Sequence, residues 1–301
     1  MIIIRLMGGL GNQMFQYAFA YVLSKKNKSL VKIDTTLLDD RLSPHEIVTH
    51  RELLLNKVFN VSLDFASKND IEYFNGKTYN NLIGKSFNKI RQAIRSPSLV
   101  IEENRGFNPR YLNLKDDTCL VGSFQSEKYF YSDSQAIKNV FKFKYPIMDI
   151  SHELVDSLKS ENSVAIHFRR GDYVTSPLYS KKIGALALSY YIKAIDFIIE
   201  KVDNPVFYVF SDDINWCKEN LKVDHLSFYF VNDEHAGIYA SNYLQLLTKC
   251  KYYIISNSTF SWWGAWLSEN NSNKIVVAPE QWFIEESLND IDIVPENWIK
   301  L

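Results

Sequence analysis

Short, uniformly apolar runs alternate with polar loops and amphipathic stretches through the second half of the chain, and this constrains the fold more than any other feature. VAIHF (164–168), VFYVFS (206–211) and the runs near 226–231, 252–256 and 274–278 read as buried strands. Stretches near 189–202, 214–221, 239–249 and 259–268 carry helical spacing between them, after a first helix near 151–160. Strand and helix in steady succession predict a parallel sheet with helices wound on both faces.

The first 33 residues show the same grammar. Ile2, Ile3 and Ile4 form a strand run that Gly8, Gly9 and Gly11 break. A helix then starts near Asn12, with Met14, Phe15, Ala18, Phe19, Val22 and Leu23 on its apolar face and Gln16, Lys25 and Lys26 toward solvent. Leu30, Val31 and Ile33 supply the next strand, completing a parallel βαβ unit. Residues 36–115 have mixed periodicity, and a helix is expected there from about 81 to 94, ended by Ser96-Pro97. Cys119 to Gly122 reads as a strand end, followed by a helix to about Val140 with Ser126 as its N-cap. With Tyr145-Pro146 as a boundary, two Rossmann-like α/β domains are expected, 1–150 and 151–301, with a cleft between them. The last residues are expected to pack back on the N-terminal domain.

Composition narrows the class. With 46% hydrophobic and 23% charged residues among 301, the chain can build a core without staples. Lys and Arg number 34 against 35 Asp and Glu, so no global field draws it to nucleic acid. Cys119, Cys217 and Cys250 are odd in number and scattered, which reads as reduced thiols. The N-terminus lacks a basic leader, and no run reaches the roughly 18–20 apolar residues of a membrane span. A cytoplasmic protein is expected, with peripheral contact at the inner face of the membrane left open.

Four places carry candidate chemistry. Gly8-Gly9-Leu10-Gly11-Asn12-Gln13 sits where a strand ends and a helix begins, so its N–H groups face a ligand position. It lacks the third small residue of a dinucleotide fingerprint and the Lys-Ser/Thr of a phosphate loop; without a ligand it is a tight turn. His167-Phe168-Arg169-Arg170-Gly171-Asp172 lies at the C-terminal end of a buried strand. Alternation there sends one guanidinium into the crevice while the other braces a carboxylate, and a bidentate fork suits a phosphate or pyrophosphate. The plainer alternatives are a surface ion pair and a core histidine. Asp212 and Asp213 follow the next strand and either serve a ligand or cap the following helix. Ser258, Thr259, Phe260 and Ser261 form a hydroxyl-rich strand-to-helix junction, while Trp262, Trp263 and Trp266 read as core or as cover. Asp290-Ile291-Asp292 has a metal-binding spacing but follows no nucleotide-binding strand, so chemistry without a metal or other cofactor is expected.

Taken in order, GGLGNQMFQYA, FQSEKYF, HFRRGDYV and ISNSTFSWWGAWL resemble the bacterial α-1,2-fucosyltransferases, glycosyltransferase family eleven. The resemblance spans residue 1 to about 283. It implies a GT-B type fold of two facing domains, with GDP-fucose held by the C-terminal half and the acceptor shaped by the N-terminal half. It implies an inverting, metal-independent transfer to the 2-hydroxyl of a terminal galactoside, on an oligosaccharide or lipid-linked glycan, as in O-antigen synthesis. On this reading Arg169 meets the β-phosphate, supported by Arg170 and by Asp172, which is also a candidate base. His167 lies against the nucleotide and Asp212 or Asp213 near the guanosine. Ser258, Thr259, Phe260 and Ser261 run along the diphosphate, and Gly9, Gly11, Asn12 and Gln13 approach from the other domain. Two departures stand out: Ile183-Gly184 replaces a common His-Gly pair, and Asn242-Tyr243 stands where many relatives have a carboxylate. Another linkage such as α-1,6, a non-catalytic glycan-binding protein and an oxidoreductase are the competing readings.

Overall fold

Ile2, Ile3 and Ile4 are fully buried because their strand, β1 (Ile2–Arg5), is the middle strand of a five-stranded parallel sheet covered on both faces. A computed structural model describes residues 1–38, 51–74, 98–269, 273–285 and 292–301. The chain divides into two units, Met1–Lys142 and Phe143–Leu301. The helix expected over 81–94 lies outside the described residues, as do Asp290 and Ile291.

In the first unit, β1 pairs with β2 (Val31–Asp34) and β5 (Thr118–Val121), flanked by β3 (Asp64–Phe65) and β4 (Ser98–Ile101) in the order β3-β2-β1-β5-β4. Helix α1 (Leu10–Asn27) covers this sheet. Phe19 packs its ring 4.9 Å from Phe124 and 4.7 Å from Tyr129, fixing the helix against the segment after β5. Lys28 ends the helix with φ 52°, donating to Lys25 O, while Lys25 and Lys26 complement the negative end of the dipole. Gln16 does not face solvent as its helical position suggested; it is buried, and its amide bridges the N–H and C=O of Met7. Short helices α2 (Leu55–Val58) and α3 (Lys68–Phe74) complete the first part of the unit. Ser126 caps a single 3-10 turn, Glu127–Tyr129, and the helix proper, α4, starts only at Ser134 and runs to Val140. The burial of Tyr129 and Phe130 in the aromatic cluster interrupts the longer helix expected from sequence.

The second unit opens with α5 (His152–Ser160) and a six-stranded parallel sheet in the order β11-β10-β9-β6-β7-β8. Its strands are β6 (Asn162–Phe168), β7 (Pro205–Ser211), β8 (Phe228–Phe230), β9 (Tyr252–Ile254), β10 (Val276–Ala278) and β11 (Ile299–Lys300). The order reverses between β6 and β9, the switch point at which doubly wound sheets bind ligands. Val164, Ile166 and Phe168 point from β6 into one core, against α8 (Leu188–Lys201), whose Tyr191, Ala194, Ile195 and Ile198 recur at helical spacing. Two short helices, α6 (Gly171–Thr175) and α7 (Pro177–Lys182), lie between β6 and α8, and α9 (Ile214–Asn220) follows β7.

Helices α10 (Ser241–Lys249) and α11 (Thr259–Trp266) cross so closely that a Cβ on Gly264 would lie 2.9 Å from Leu247 Cβ. Trp262 and Trp263 are core residues: both are fully buried, and Trp262 Nε1 donates to Ile293 O at 2.7 Å. The last residues belong to the second unit. They form β11 beside β10 and close the edge of the second sheet. All three cysteines are free and buried, and burial pushes the Cys119 and Cys217 thiols up to about 11. Among the described residues, no helix is long and apolar enough to cross a membrane.

Trp263→Ala would empty a fully buried site between α11 and its neighbours, and is expected to cost about 3–5 kcal/mol. Thermal unfolding followed by tryptophan fluorescence reads the loss as a lowered midpoint for the second unit.

Candidate active site

The loops that leave β6, β7 and β9 supply the charged and hydroxyl groups at the switch point of the second sheet. Parallel pairing carries Phe168 level with Ser211, so Arg169-Arg170 and Asp212-Asp213 leave adjacent strands at the same height. Arg170 N–H donates to Asp212 Oδ1 at 2.8 Å, and Arg169 Nη1 lies 2.8 Å from Asp212 Oδ2. Arg169 Nη2 donates to Asp172 Oδ1 at 2.6 Å. Arg170 Nε donates to Asp213 Oδ2 at 3.0 Å, and its guanidinium stacks 3.6 Å from the centroid of Trp216. Arg169 lies 5.4 Å from the ring of Tyr173.

Each arginine in this network is held on two sides. Burial works against the Arg169 charge, but Asp212 and Asp172 outweigh it and raise the guanidinium above its ordinary pKa. Asp213 both caps α9, accepting Trp216 N–H at 3.3 Å, and braces Arg170. Of the two roles weighed from sequence for this residue, these contacts show the cap, and the remaining oxygen serves Arg170. Three carboxylates face two guanidinium groups, so the cluster carries a formal excess of negative charge. What it offers an anionic group is the fixed direction of arginine N–H donors rather than net positive charge. Two of the five N–H donors of Arg169 are engaged by Asp172 and Asp212.

His167 projects from the opposite face of β6 to Ile166 and Phe168. Its Nδ1 lies 2.8 Å from Ser256 Oγ, and its ring centroid is 5.8 Å from that of Phe260. Burial, and then the neighbouring Arg169 charge, push its pKa down to about 3, so the ring is neutral. At the start of α11, Ser258 Oγ accepts Phe260 N–H at 3.4 Å and Ser261 Oγ donates to Ser258 O at 3.1 Å. Both serines were expected along a diphosphate. They are buried, and these contacts build the turn, while Thr259 and Phe260 are half-buried.

Gly9, Gly11, Asn12 and Gln13 belong to the first unit, at the C-terminal end of β1. Gly9 is the extended N-cap of α1, and no atom lies within 4 Å of where its Cβ would be. Gly11 is buried in the first turn. Asn12 Oδ1 accepts from Gln125 Nε2 at 2.8 Å, and Gly8, at φ +76°, comes so close to Asn12 that a Cβ would lie 2.3 Å from its Nδ2. Gln13 follows Asn12 in the first turn of α1. It is fully buried, donating to Gly8 O at 3.0 Å and Glu52 O at 2.8 Å and accepting Leu54 N–H at 2.9 Å. It pins the 52–54 segment, because a buried amide must satisfy itself on whatever backbone is near.

Sequence reading missed Trp216 and Tyr173 as the aromatic faces near the arginines. Their signal was spacing: Trp216 stands three residues after its cap, Asp213, so the first turn of α9 turns it back toward Arg170. Among the described residues, no three His, Cys, Asp or Glu side chains converge in a metal-ligand group.

Two outcomes follow from this geometry. A Cβ on residue 171 would lie 2.5 Å from Asp212 Oδ2. Gly171→Ala is therefore expected to displace that carboxylate and turn the Arg169 fork, lowering turnover by up to about a hundredfold with little change in thermal midpoint. His167 is neutral in the fold but titrates near 6.5 when unfolded, so its contribution to stability is complete above about pH 6.5 and is lost as pH falls toward 3. Urea midpoints between pH 7 and pH 4 should fall less steeply for His167→Gln than for the parent chain.

The whole chain, residues 1–301, matches the model of Glycosyl transferase family 11. The Escherichia coli protein named alpha-1,2-colitosyltransferase is 34% identical over 92% of this chain and 91% of its own. The O-antigen biosynthesis glycosyltransferase WbnK, also from Escherichia coli, is 35% identical over 92% and 93%. Galactoside alpha-(1,2)-fucosyltransferase 2 of Gorilla gorilla gorilla is 26% identical over 88% of this chain and 68% of its own. Among solved structures, the NodZ alpha-1,6-fucosyltransferase co-crystallized with GDP aligns at 12% identity and a TM-score of 0.46, covering 87% of this chain and 91% of that one. The full-length family match and two relatives above 30% identity agree with the four ordered motifs, and the chain belongs to glycosyl transferase family 11.

Proposed function

We propose that this glycosyltransferase moves L-fucose from GDP-fucose to the 2-hydroxyl of a terminal galactoside, with inversion and without a metal. The observation that carries the reading is Arg169, a permanently charged fork fixed by two carboxylates at the switch point of the second sheet. Departure of GDP builds negative charge on the β-phosphate while the sugar gains oxocarbenium character. A guanidinium already oriented toward that charge stabilises the transition state without reorganisation, the work a divalent cation does in other transferases. Thr259 and Phe260, at the positive end of α11, add oriented backbone dipoles to the same edge. Asp172 gives one oxygen to Arg169, which supports a role in holding the arginine. His167, neutral and hydrogen-bonded to Ser256, contributes shape and a polar edge rather than charge.

Transfer to a 2-hydroxyl is supported by the relatives' names, alpha-1,2-colitosyltransferase and galactoside alpha-(1,2)-fucosyltransferase 2. The first of these also favours a second reading, in which the donor sugar is colitose. O-antigen synthesis is the setting that the name of WbnK supports, and the proposal extends it to a lipid-linked glycan met at the inner face of the membrane.

The test is acceptor-dependent GDP release with EDTA present, comparing GDP-fucose with the colitosyl donor on terminal-galactose acceptors. Release from GDP-fucose that survives EDTA supports the reading, and higher kcat/KM with the colitosyl donor replaces fucose by colitose. Arg169→Ala is expected to lower turnover by about 10³–10⁵-fold. Arg169→Lys should recover little, because an ammonium cannot span Asp172 and Asp212 as the fork does. Release that stops with EDTA and returns with Mg²⁺ would overturn metal independence.

A further inference from the structure

The arginine network continues into a surface strap. Residues 171–184, carrying Asp172 and Tyr173 on α6 and then α7, contain no buried residue except Gly184. Such a segment has little core of its own to hold it. Its near end is tied to Asp172 and Asp212 through Arg169 and Gly171. Tyr173, near its start, and its far end converge on one residue, Asn257, in the turn between β9 and α11.

Asn257 is 1% exposed, and its side-chain amide Nδ2 faces three backbone carbonyls: Ile183 O at 3.3 Å, Gly184 O at 3.0 Å and Trp282 O at 3.1 Å. Its own carbonyl accepts the Tyr173 hydroxyl at 3.2 Å. The same two segments are zipped beyond it: Ile284 and Glu285 N–H groups both donate to Lys182 O, at 3.0 and 3.2 Å. Gly184, at φ +66°, has Ile284 Cδ1 2.3 Å from where its Cβ would lie, so the crossing admits no side chain there. Asn257 Oδ1 is buried without a hydrogen-bond partner. An orphaned buried carbonyl is unfavourable, and it is tolerated here where the NH₂ end gathers carbonyls from two separate segments.

We propose that Asn257 is a positioning residue for the transfer step, clamping the far end of the 171–184 strap so that Tyr173 and Asp172 hold the Arg169 fork in register. The inference rests on the transferase reading for its kinetic consequence, while the clamp itself has a physical readout independent of turnover. Removing the amide frees Ile183, Gly184 and Trp282 carbonyls to solvate and leaves the far end of the strap to the bonds that Lys182 O accepts from Ile284 and Glu285, so that it opens more often. The freed strap then draws the Tyr173 hydroxyl off the Asn257 main-chain carbonyl, and the Arg169–Asp172 pair loosens although neither residue has changed.

The experiment pairs two variants with two readouts on the full chain. Asn257→Ala and Asn257→Asp are compared with the parent for trypsin cleavage after Lys181 and Lys182 and for steady-state kinetics with GDP-fucose and a galactoside acceptor. Both variants are expected to be cut at the strap about tenfold faster, because local opening rather than global unfolding exposes it. Their kcat should fall by up to about a hundredfold while acceptor KM changes little. The aspartate variant is isosteric, yet as a carboxylate it opposes three carbonyl oxygens; protonation restores one donor, so its activity relative to the parent should rise as pH falls. Tyr173→Phe should lower kcat in the same direction, and the double variant should lose less than the product of the two losses. Unchanged strap cleavage, or a kcat equal to the parent's, overturns the proposal. So does a kcat loss that follows a lowered thermal midpoint in both variants, with no pH recovery for Asn257→Asp. Failure of the parent chain to release GDP under any acceptor would instead overturn the transferase reading, with the cleavage rates still deciding whether the clamp exists.

Discussion

One carboxylate organises the charged edge of the second sheet. Asp212 takes the backbone N–H of Arg170 with one oxygen and the guanidinium of Arg169 with the other, and it occupies the space that any side chain at residue 171 would need. The glycine in Arg-Arg-Gly-Asp is thus a packing requirement, and the arginine direction is a consequence of strand pairing. Because β6 and β7 run parallel and in register from Asn162 to Phe168, Asp212 can reach the loop that follows the neighbouring strand. A slip of one residue would turn Arg169 and His167 to the other face and separate them from this partner.

The electrostatic consequence is less obvious than a basic motif suggests. Two arginines in sequence look like an anion trap, but three aspartates meet them, and the excess charge is negative. Orientation is what this cluster contributes. An arginine spread among water conformations must lose entropy as a leaving group departs, whereas one gripped by two carboxylates has lost it on folding. The neutral, buried His167 fits the same scheme, since a second cation beside Arg169 would repel it in a site of low dielectric.

Much of the fold was legible because parallel strands buried on both faces leave a plain apolar signature. Eight strand runs were placed within a few residues, from Ile2–Ile4 to the run near 274–278. The short edge strands were not: Asp64–Phe65 and Ile299–Lys300 have two residues each, and edge positions carry no alternation to read. The helix after Cys119 was overextended because capping chemistry at Ser126 is local, while the burial of Tyr129 and Phe130 that stops it is not. In the site, the motifs were legible as residue types at strand ends, while the backbone partners of the Gln13, Ser258 and Ser261 side chains leave no mark in the sequence.

The sequence by itself determined the alternation of strand and helix, the four ordered motifs and the residue types at the ends of β6, β7 and β9, since these depend on local periodicity and on chemistry carried by single side chains. Tertiary structure decided which atoms those side chains meet. That Arg170 stacks on Trp216, that Arg169 is shared by Asp172 and Asp212, and that Asn257 gathers carbonyls from residues 183, 184 and 282 follow from strand order and loop crossing. Apart from the Arg169–Asp172 pair, these contacts join residues 25 to 74 positions apart and leave no periodic trace in a sequence, because the distance that matters to a hydrogen bond is set by the sheet and not by the chain.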